Sequence, residues 1–329
     1  MDVEKDLKKK STKIKSKKIK SMKMTLPSKS AFPIETKPDM IKLNTLMAVI
    51  GRKGTGKNAS LCSLVKMLCD DGVLDEVVVI TPTYESNKDY FLQFGKAFNP
   101  ENNVFEPSKT SADDIKEFVQ NMADYYQNYL NEVKMIKELK QKAQSKKIED
   151  LDIEDAFEMD ILDEDGIMKN PEYKYKNKPP RVFCIVDDCI GTDIFVGNGA
   201  KKFTTLCLAH RHQGIYEEGI LGCSIAILSQ SLKTQQGGIP RSVRENCSCI
   251  ILVGKTNDDN MNKKIWEELA SFCPQEEFYK IWDFACPKEE PHSFLMMDLA
   301  PKCKAKTFRK NFDEYIDHPL FQCSCKNKS

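Results

Sequence analysis

No long apolar run interrupts this chain of 329 residues: stretches such as Leu46 to Ile50 and Ile225 to Leu228 fall far short of the ~20 residues a membrane helix needs. A spanning segment is therefore excluded. The thirteen cysteines include no Cys-x-x-Cys pair, and the Cys-x-Cys steps at Cys247/Cys249 and Cys323/Cys325 have no partners at zinc spacing. His292 between Cys286 and Cys303 has no distinguishing spacing either, so no structural zinc is expected. The lysine-rich start lacks an apolar h-region and a small-residue cleavage site, so it does not read as a secretory signal. Cysteines inside apolar runs (Cys184, Cys189, Cys207, Cys223, Cys249) are accordingly expected to be reduced core thiols of an intracellular protein. No internal repeat of solenoid period is visible.

Charge is balanced in total and uneven in placement. Fifty Lys and Arg face forty-nine Asp and Glu, yet Met1 to Ser30 holds eleven lysines against three acids, a net of +8 that leaves −7 for the rest. Residues 1–38 have too few large apolar side chains to offset their ordering entropy, which predicts a disordered basic tail. Such a tail can hold phosphate backbones, serve as a nuclear address or simply solubilise the chain. From Leu46 onward, short β-rich runs (Leu46–Ile50, Val77–Ile80, Val182–Val186, Ile225–Leu228, Ile250–Val253) alternate with helical segments. That alternation predicts an α/β domain, over 39–300, with a mainly parallel central sheet flanked by helices; 301–329 is expected as a C-terminal extension. Within the domain, 108–180 reads as an insertion. Its apolar residues from Ile115 to Ile136 recur at helical spacing, predicting one long helix over 111–147. Ten acids crowd the seventeen residues Glu149 to Asp165, a composition that reads as a solvated loop.

The segment from Leu46 to Ser60 places a buried strand, a glycine-rich turn and a helix start in succession, matching G-x-x-x-x-G-K at Gly51, Gly56 and Lys57. Residues Gly51, Arg52, Lys53, Gly54, Thr55, Gly56, Lys57 and Asn58 form the predicted nucleotide cradle. Glycines let backbone amides converge on an anion, the helix start adds its dipole, and Lys57 can reach the β- and γ-phosphates. ATP with Mg²⁺ is the expected cofactor. The hydroxyl residue that usually follows the lysine is Asn58 here, whose amide oxygen is a less favourable Mg²⁺ ligand. Ser60 is displaced by roughly 200° around the helix and does not replace it.

The apolar strand from Val182 ends in Asp187-Asp188, at the carboxyl edge where open α/β sheets bind ligands. Asp187 is expected to hold the metal and Asp188 to orient or deprotonate the attacking water, as in a Walker B element. A third strand ends in Ser229-Gln230, where Gln230 is either a γ-phosphate sensor or a plain strand-terminal hydrogen-bonding residue. His210 and His212, flanking Arg211 after the helix expected over 201–209, read as satisfied polar residues rather than metal ligands. Lys201, Lys202, Lys233 and the Gln235–Gly238 loop are candidates for sequence-blind phosphate contacts in a pore.

These segments, with Thr81-Pro82-Thr83, His210 to Ile215 and Ile239 to Asn246, resemble those of the DNA-packaging ATPases of large DNA viruses, poxvirus type, within the FtsK/HerA group of P-loop motors. The resemblance runs from about 41 to 253. It implies an ASCE P-loop NTPase fold and an ATP-driven homo-oligomeric ring that threads double-stranded DNA into a capsid, with capsid proteins as further partners. It also implies an arginine reaching a neighbouring subunit's nucleotide, with Arg244 the first choice and Arg241 the second. A viral protein of this kind is expected in a cytoplasmic factory or the nucleus of the host cell, or with the virion. Two other readings stay open: a cellular or plasmid FtsK/HerA-like translocase or helicase, and a nucleotide-gated assembly protein with little hydrolysis.

Overall fold

A computed structural model of the chain describes residues 34, 36, 40–145, 171–230, 238–256 and 258–322. The acidic stretch 149–165, nearly all of the basic tail and the 231–237 loop lie outside the described residues.

Five strands are buried along their whole length: β1 (Leu46–Ile50), β2 (Glu76–Ile80), β4 (Val182–Asp187), β7 (Cys223–Ser229) and β8 (Cys249–Val253). Uniform burial is what strands covered by helices on both faces require, and it explains their unbroken Val, Ile and Leu runs. Together with β3 (Val104–Phe105) they form the parallel part of a nine-stranded sheet. Its order is β11-β10-β9-β8-β1-β7-β4-β2-β3, where β9 is Phe294–Asp298, β10 Phe308–Lys310 and β11 Glu314–Tyr315. The register runs Ala48 against Ile227, Cys184 against Ile225 and Val78 against Cys184. A separate hairpin joins β5 (Ile215–Tyr216) to β6 (Gly219–Ile220).

Alternate strand residues feed two apolar layers, as the period of two demands. Met47, Val49, Val77, Val79, Phe183 and Ile185 point to the side covered by α1 (Lys57–Asp70) and α2 (Tyr84–Phe91), against Leu61, Leu64 and Phe91. Leu46, Ala48, Ile50, Val78, Val182 and Cys184 point to the other side. After the short α3 (Pro100–Asn103), that side is built by α4 (Ser111–Ser145), α5 (Gly197–Leu208), α6 (Arg241–Glu245), α7 (Asp259–Leu269) and α8 (Gln275–Ala285). Helix α4 buries Ala112, Ile115, Val119, Ala123 and Tyr126, one stripe at steps of three and four.

Three features go beyond the reading of the sequence. Residues 301–322 are not an extension beyond the domain, because β10 and β11 add an antiparallel edge to the same sheet. Strands of three and two residues carry too few positions for a readable alternation. Cys303 is disulfide-bonded, a pairing not contained in the reading of the apolar-run cysteines as core thiols, which are all free. It sits half-buried in the β9–β10 connection, outside the apolar core, whereas the ten free cysteines are buried or, for Cys69, half-buried. Finally, the insertion is anchored in a way that periodicity did not reveal. Tyr173 stacks on Tyr129 at 4.2 Å and on Tyr125 at 5.2 Å, and Tyr126 meets Tyr216 edge-on at 5.3 Å. Glu76, 5% exposed, lies beneath this cluster. It accepts from the Tyr175 hydroxyl at 2.6 Å and the Asn103 amide at 3.0 Å, and pairs with Lys174.

Removing that shared acceptor leaves two buried donors without it. Glu76→Ala is expected to lower the unfolding free energy by about 2–3 kcal/mol in urea titration, and Glu76→Gln by less, because an amide oxygen still accepts. A Glu76→Ala protein as stable as wild type contradicts this anchoring role.

Candidate functional site

The parallel strands β1, β7, β4 and β8 end at one edge of the sheet, and their next residues are Gly51, Gln230, Asp188 and Gly254. Parallel pairing thus gathers the sequence-predicted elements without any long connection between them. The turn after β1 starts with the Gly51 amide donating to the Ser229 carbonyl at 3.1 Å. A Cβ on Gly51 would lie 2.8 Å from both Thr55 Oγ1 and the Val253 carbonyl, so only glycine fits between the crossing backbones. Gly56 turns the chain into α1 with φ +94°, a left-handed conformation that side chains disfavour. The first helical bond runs from Ser60 to Gly56 at 2.8 Å, so the amides of residues 57–59 have no helical acceptor and face outward as an anion site. Lys57 donates to the Arg52 carbonyl at 3.2 Å across the loop. Burial holds its ammonium pKa below the ordinary value, against the opposing pull of Asp187 and Asp188.

The acid pair lies directly beside the loop. The Asn58 side-chain nitrogen donates to Asp187 Oδ2 at 2.8 Å, although the two residues are 129 positions apart in sequence. Asp187 is 2% exposed. Burial, then the neighbouring Asp188 charge, pushes its pKa up to about 6, while Asn58 and Lys57 act in the opposite direction. Asn58 therefore turns a donor, not its amide oxygen, toward the acid, because a buried carboxylate is the stronger acceptor in reach. Asp188 is exposed, with φ +51°, and accepts from the Gln230 amide at 3.2 Å. The twin acids thus differ sharply in environment, as a division of roles requires. A buried carboxylate with a like charge at its side gains from a cation, and one or two carboxylates completed by phosphate oxygens and water form a fitting Mg²⁺ environment. The residues present suit that ion.

The predicted arginines separate. Arg244 is 7% exposed, paired to Glu268 at 2.6 Å and bonded to the Ile239 carbonyl, so its guanidinium is committed within its own chain. Arg241 presents a side chain that is 83% exposed, held by Glu245 at 2.7 Å. His210, Arg211 and His212 lie at the opposite edge of the sheet. His210 is buried against the Cys207 and Asn44 carbonyls at 2.7 and 3.1 Å, and Arg211 donates to Asn44 as well. These are structural contacts far from the phosphate loop. Lys202 pairs with Asp113 of α4 at 2.6 Å.

One strand, β7, separates the phosphate-loop strand β1 from the acid-bearing β4. This is a P-loop NTPase fold of the ASCE type. No protein-family model and no curated protein matches the chain. Among solved structures it is similar to the pCW3 conjugation coupling protein TcpA, monomer form with ATPγS, at 14% identity and TM-score 0.40, over 83% of this chain and 64% of that one. It is also similar to the genome packaging NTPase B204 from Sulfolobus turreted icosahedral virus 2 in complex with AMPPCP, at 12% identity and TM-score 0.40, over 78% and 92% of the two chains. A third similarity is to the cytoplasmic domain of the Thermomonospora curvata type VII secretion ATPase EccC, at 16% identity and TM-score 0.35, over 84% and 28%. The chain thus spans 64% of the coupling protein's length.

Two contacts at the loop were not read from sequence. Arg52 bonds the Thr256 hydroxyl, and His292 approaches the Thr55 carbonyl at 3.3 Å. Both partners lie more than 200 residues downstream, with no motif of their own to mark them.

The raised acid has a signed consequence. A carboxyl whose folded pKa lies near 6, above its ordinary 3.8, binds protons more tightly when folded, so stability falls as pH rises from about 4 to about 6. Asp187→Asn is expected to stabilise the nucleotide-free protein at pH 7.5, by at most about 3 kcal/mol, with the gain vanishing below about pH 4. Thermal melting across that range checks it; a gain independent of pH contradicts the burial argument.

Proposed function

We propose that the chain is an ATP-hydrolysing motor that moves double-stranded DNA, and that its task is packaging of a viral genome, as the poxvirus-type sequence motifs imply. The observation that supports it best is the 2.8 Å contact between Asn58 and Asp187, which sets the phosphate loop directly against the acid pair. Lys57 and the outward amides of residues 57–59 bind and orient the phosphates. Asp187 would hold Mg²⁺, which when bound neutralises charge on the β- and γ-phosphate oxygens. Asp188, exposed and polar-bonded, positions the attacking water and takes its proton. Gln230, already bonded to Asp188, fixes that carboxylate's direction and links it to the strand next to the loop.

In a ring, the exposed Arg241 is better placed than Arg244 to reach a neighbour's nucleotide, since Arg244 would first have to abandon a buried ion pair. A trans arginine makes hydrolysis conditional on assembly. Lys201 and its neighbours supply sequence-blind phosphate contacts for the duplex. Genome packaging, capsid partners and a place in a viral factory, host nucleus or virion belong to this same proposal.

A second reading, a nucleotide-gated assembly protein with little turnover, is favoured by one observation: Asn58 caps the metal-binding carboxylate where a hydroxyl usually serves the metal. A cellular or plasmid translocase would use the same residues on another substrate.

ATP turnover, measured with and without duplex DNA, tests the proposal. The wild type is expected to hydrolyse ATP faster with DNA, and Asp188→Asn to lose at least about 100-fold in kcat with nucleotide affinity nearly unchanged. Absence of turnover even with DNA counts against a motor. Arg241→Ala is expected to keep nucleotide binding and lose DNA-stimulated turnover. A large gain in hydrolysis for Asn58→Ser moves the balance to the gated assembly protein.

A further inference from the structure

The phosphate loop is touched from outside by two contacts from the far end of the chain, and a third bond joins the segments that make them. The Arg52 guanidinium bonds the Thr256 hydroxyl, the Gly254 amide donates to the Ser293 carbonyl at 3.3 Å, and His292 packs on the loop itself. His292, exposed in the turn just before β9, lies so close that a Cβ on Gly56 would be 3.1 Å from its Nδ1 and 3.6 Å from its Cγ. The same Nδ1 is 3.3 Å from the Thr55 carbonyl oxygen. A carbonyl can only accept, so Nδ1 carries the hydrogen and donates. Gly56 is thus required twice, for its positive φ and for the ring resting on it.

The direction of the Thr55 carbonyl matters for binding. It belongs to the peptide just before Gly56, whose turn opens α1 and its three outward amides. Rotated inward, its oxygen would add negative charge beside an anion and oppose the amides; bonded to His292, that oxygen is held by a donor. We propose that His292 is a positioning residue of the phosphate loop, donating to the Thr55 carbonyl so that the cradle offers its amides and not its oxygens to the polyphosphate. This role rests on the nucleotide-binding reading of the loop and adds to it a residue from outside the motif.

The test uses the full chain with ATPγS as probe, in calorimetric titrations of wild type, Lys57→Ala, His292→Leu and His292→Asn. Leucine fills the space over Gly56 without a donor, whereas the asparagine amide nitrogen can occupy the place of Nδ1. His292→Leu is expected to weaken ATPγS binding about fivefold, the size of one neutral hydrogen bond, and His292→Asn to recover most of it. Melting temperatures without nucleotide should stay equal to wild type, since the side chain is exposed. Loss of binding in Lys57→Ala with wild-type affinity in His292→Leu overturns the role of His292 alone. Equal weakening in the leucine and asparagine variants overturns it too, by assigning the effect to packing. A wild type that binds no ATPγS overturns the nucleotide reading and this role together.

Discussion

A carboxylate almost wholly removed from water, with a second carboxylate next to it, is the constraint around which this molecule is arranged. Asp187 has two compensating side chains in the folded chain, the Asn58 amide and the Lys57 ammonium, and both stand at the start of α1, after a different strand. Burial nevertheless wins, which is why its pKa stands near 6. A site that keeps an anion under such conditions is prepared for positive charge, and its own lysine is itself held below its ordinary pKa by burial. Each charge is incomplete alone; a metal-bound polyphosphate is the kind of ligand that completes both.

Keeping the loop and the acids in register falls to the sheet. Only β7 stands between their strands, so the distance between them is set by two strand spacings and changes little with events at the surface. The loop itself has few bonds of its own. It leans on the end of β8 and on the connection into β9, which ties the antiparallel edge to the loop: without β9 held between β8 and β10, nothing would bring His292 to Gly56.

The insertion between β3 and β4 is tied down at the opposite edge of the sheet. Tyrosines from α4 and from the chain returning to β4 stack over the buried Glu76, so that both ends of the insertion leave from one rigid base.

The glycine loop, the apolar strands and the acid pair were legible in the sequence because each is local: its signal lies in the spacing of adjacent residues. The long helix α4 was legible for the same reason, by its periodicity. Strands β10 and β11 were not, being too short to show alternation, and neither was the tyrosine cluster, whose members meet across helix, hairpin and return segment. For the two arginines of α6, the motif named both and only packing told them apart, since Glu268 on α7 draws Arg244 inward and leaves Arg241 outside. Composition and order therefore determined that this chain is a parallel α/β domain with a phosphate loop and paired acids. Tertiary structure alone decided which side chains meet at that loop, because contacts such as Asn58 to Asp187 and His292 to Thr55 join positions more than a hundred residues apart, where no local spacing rule operates.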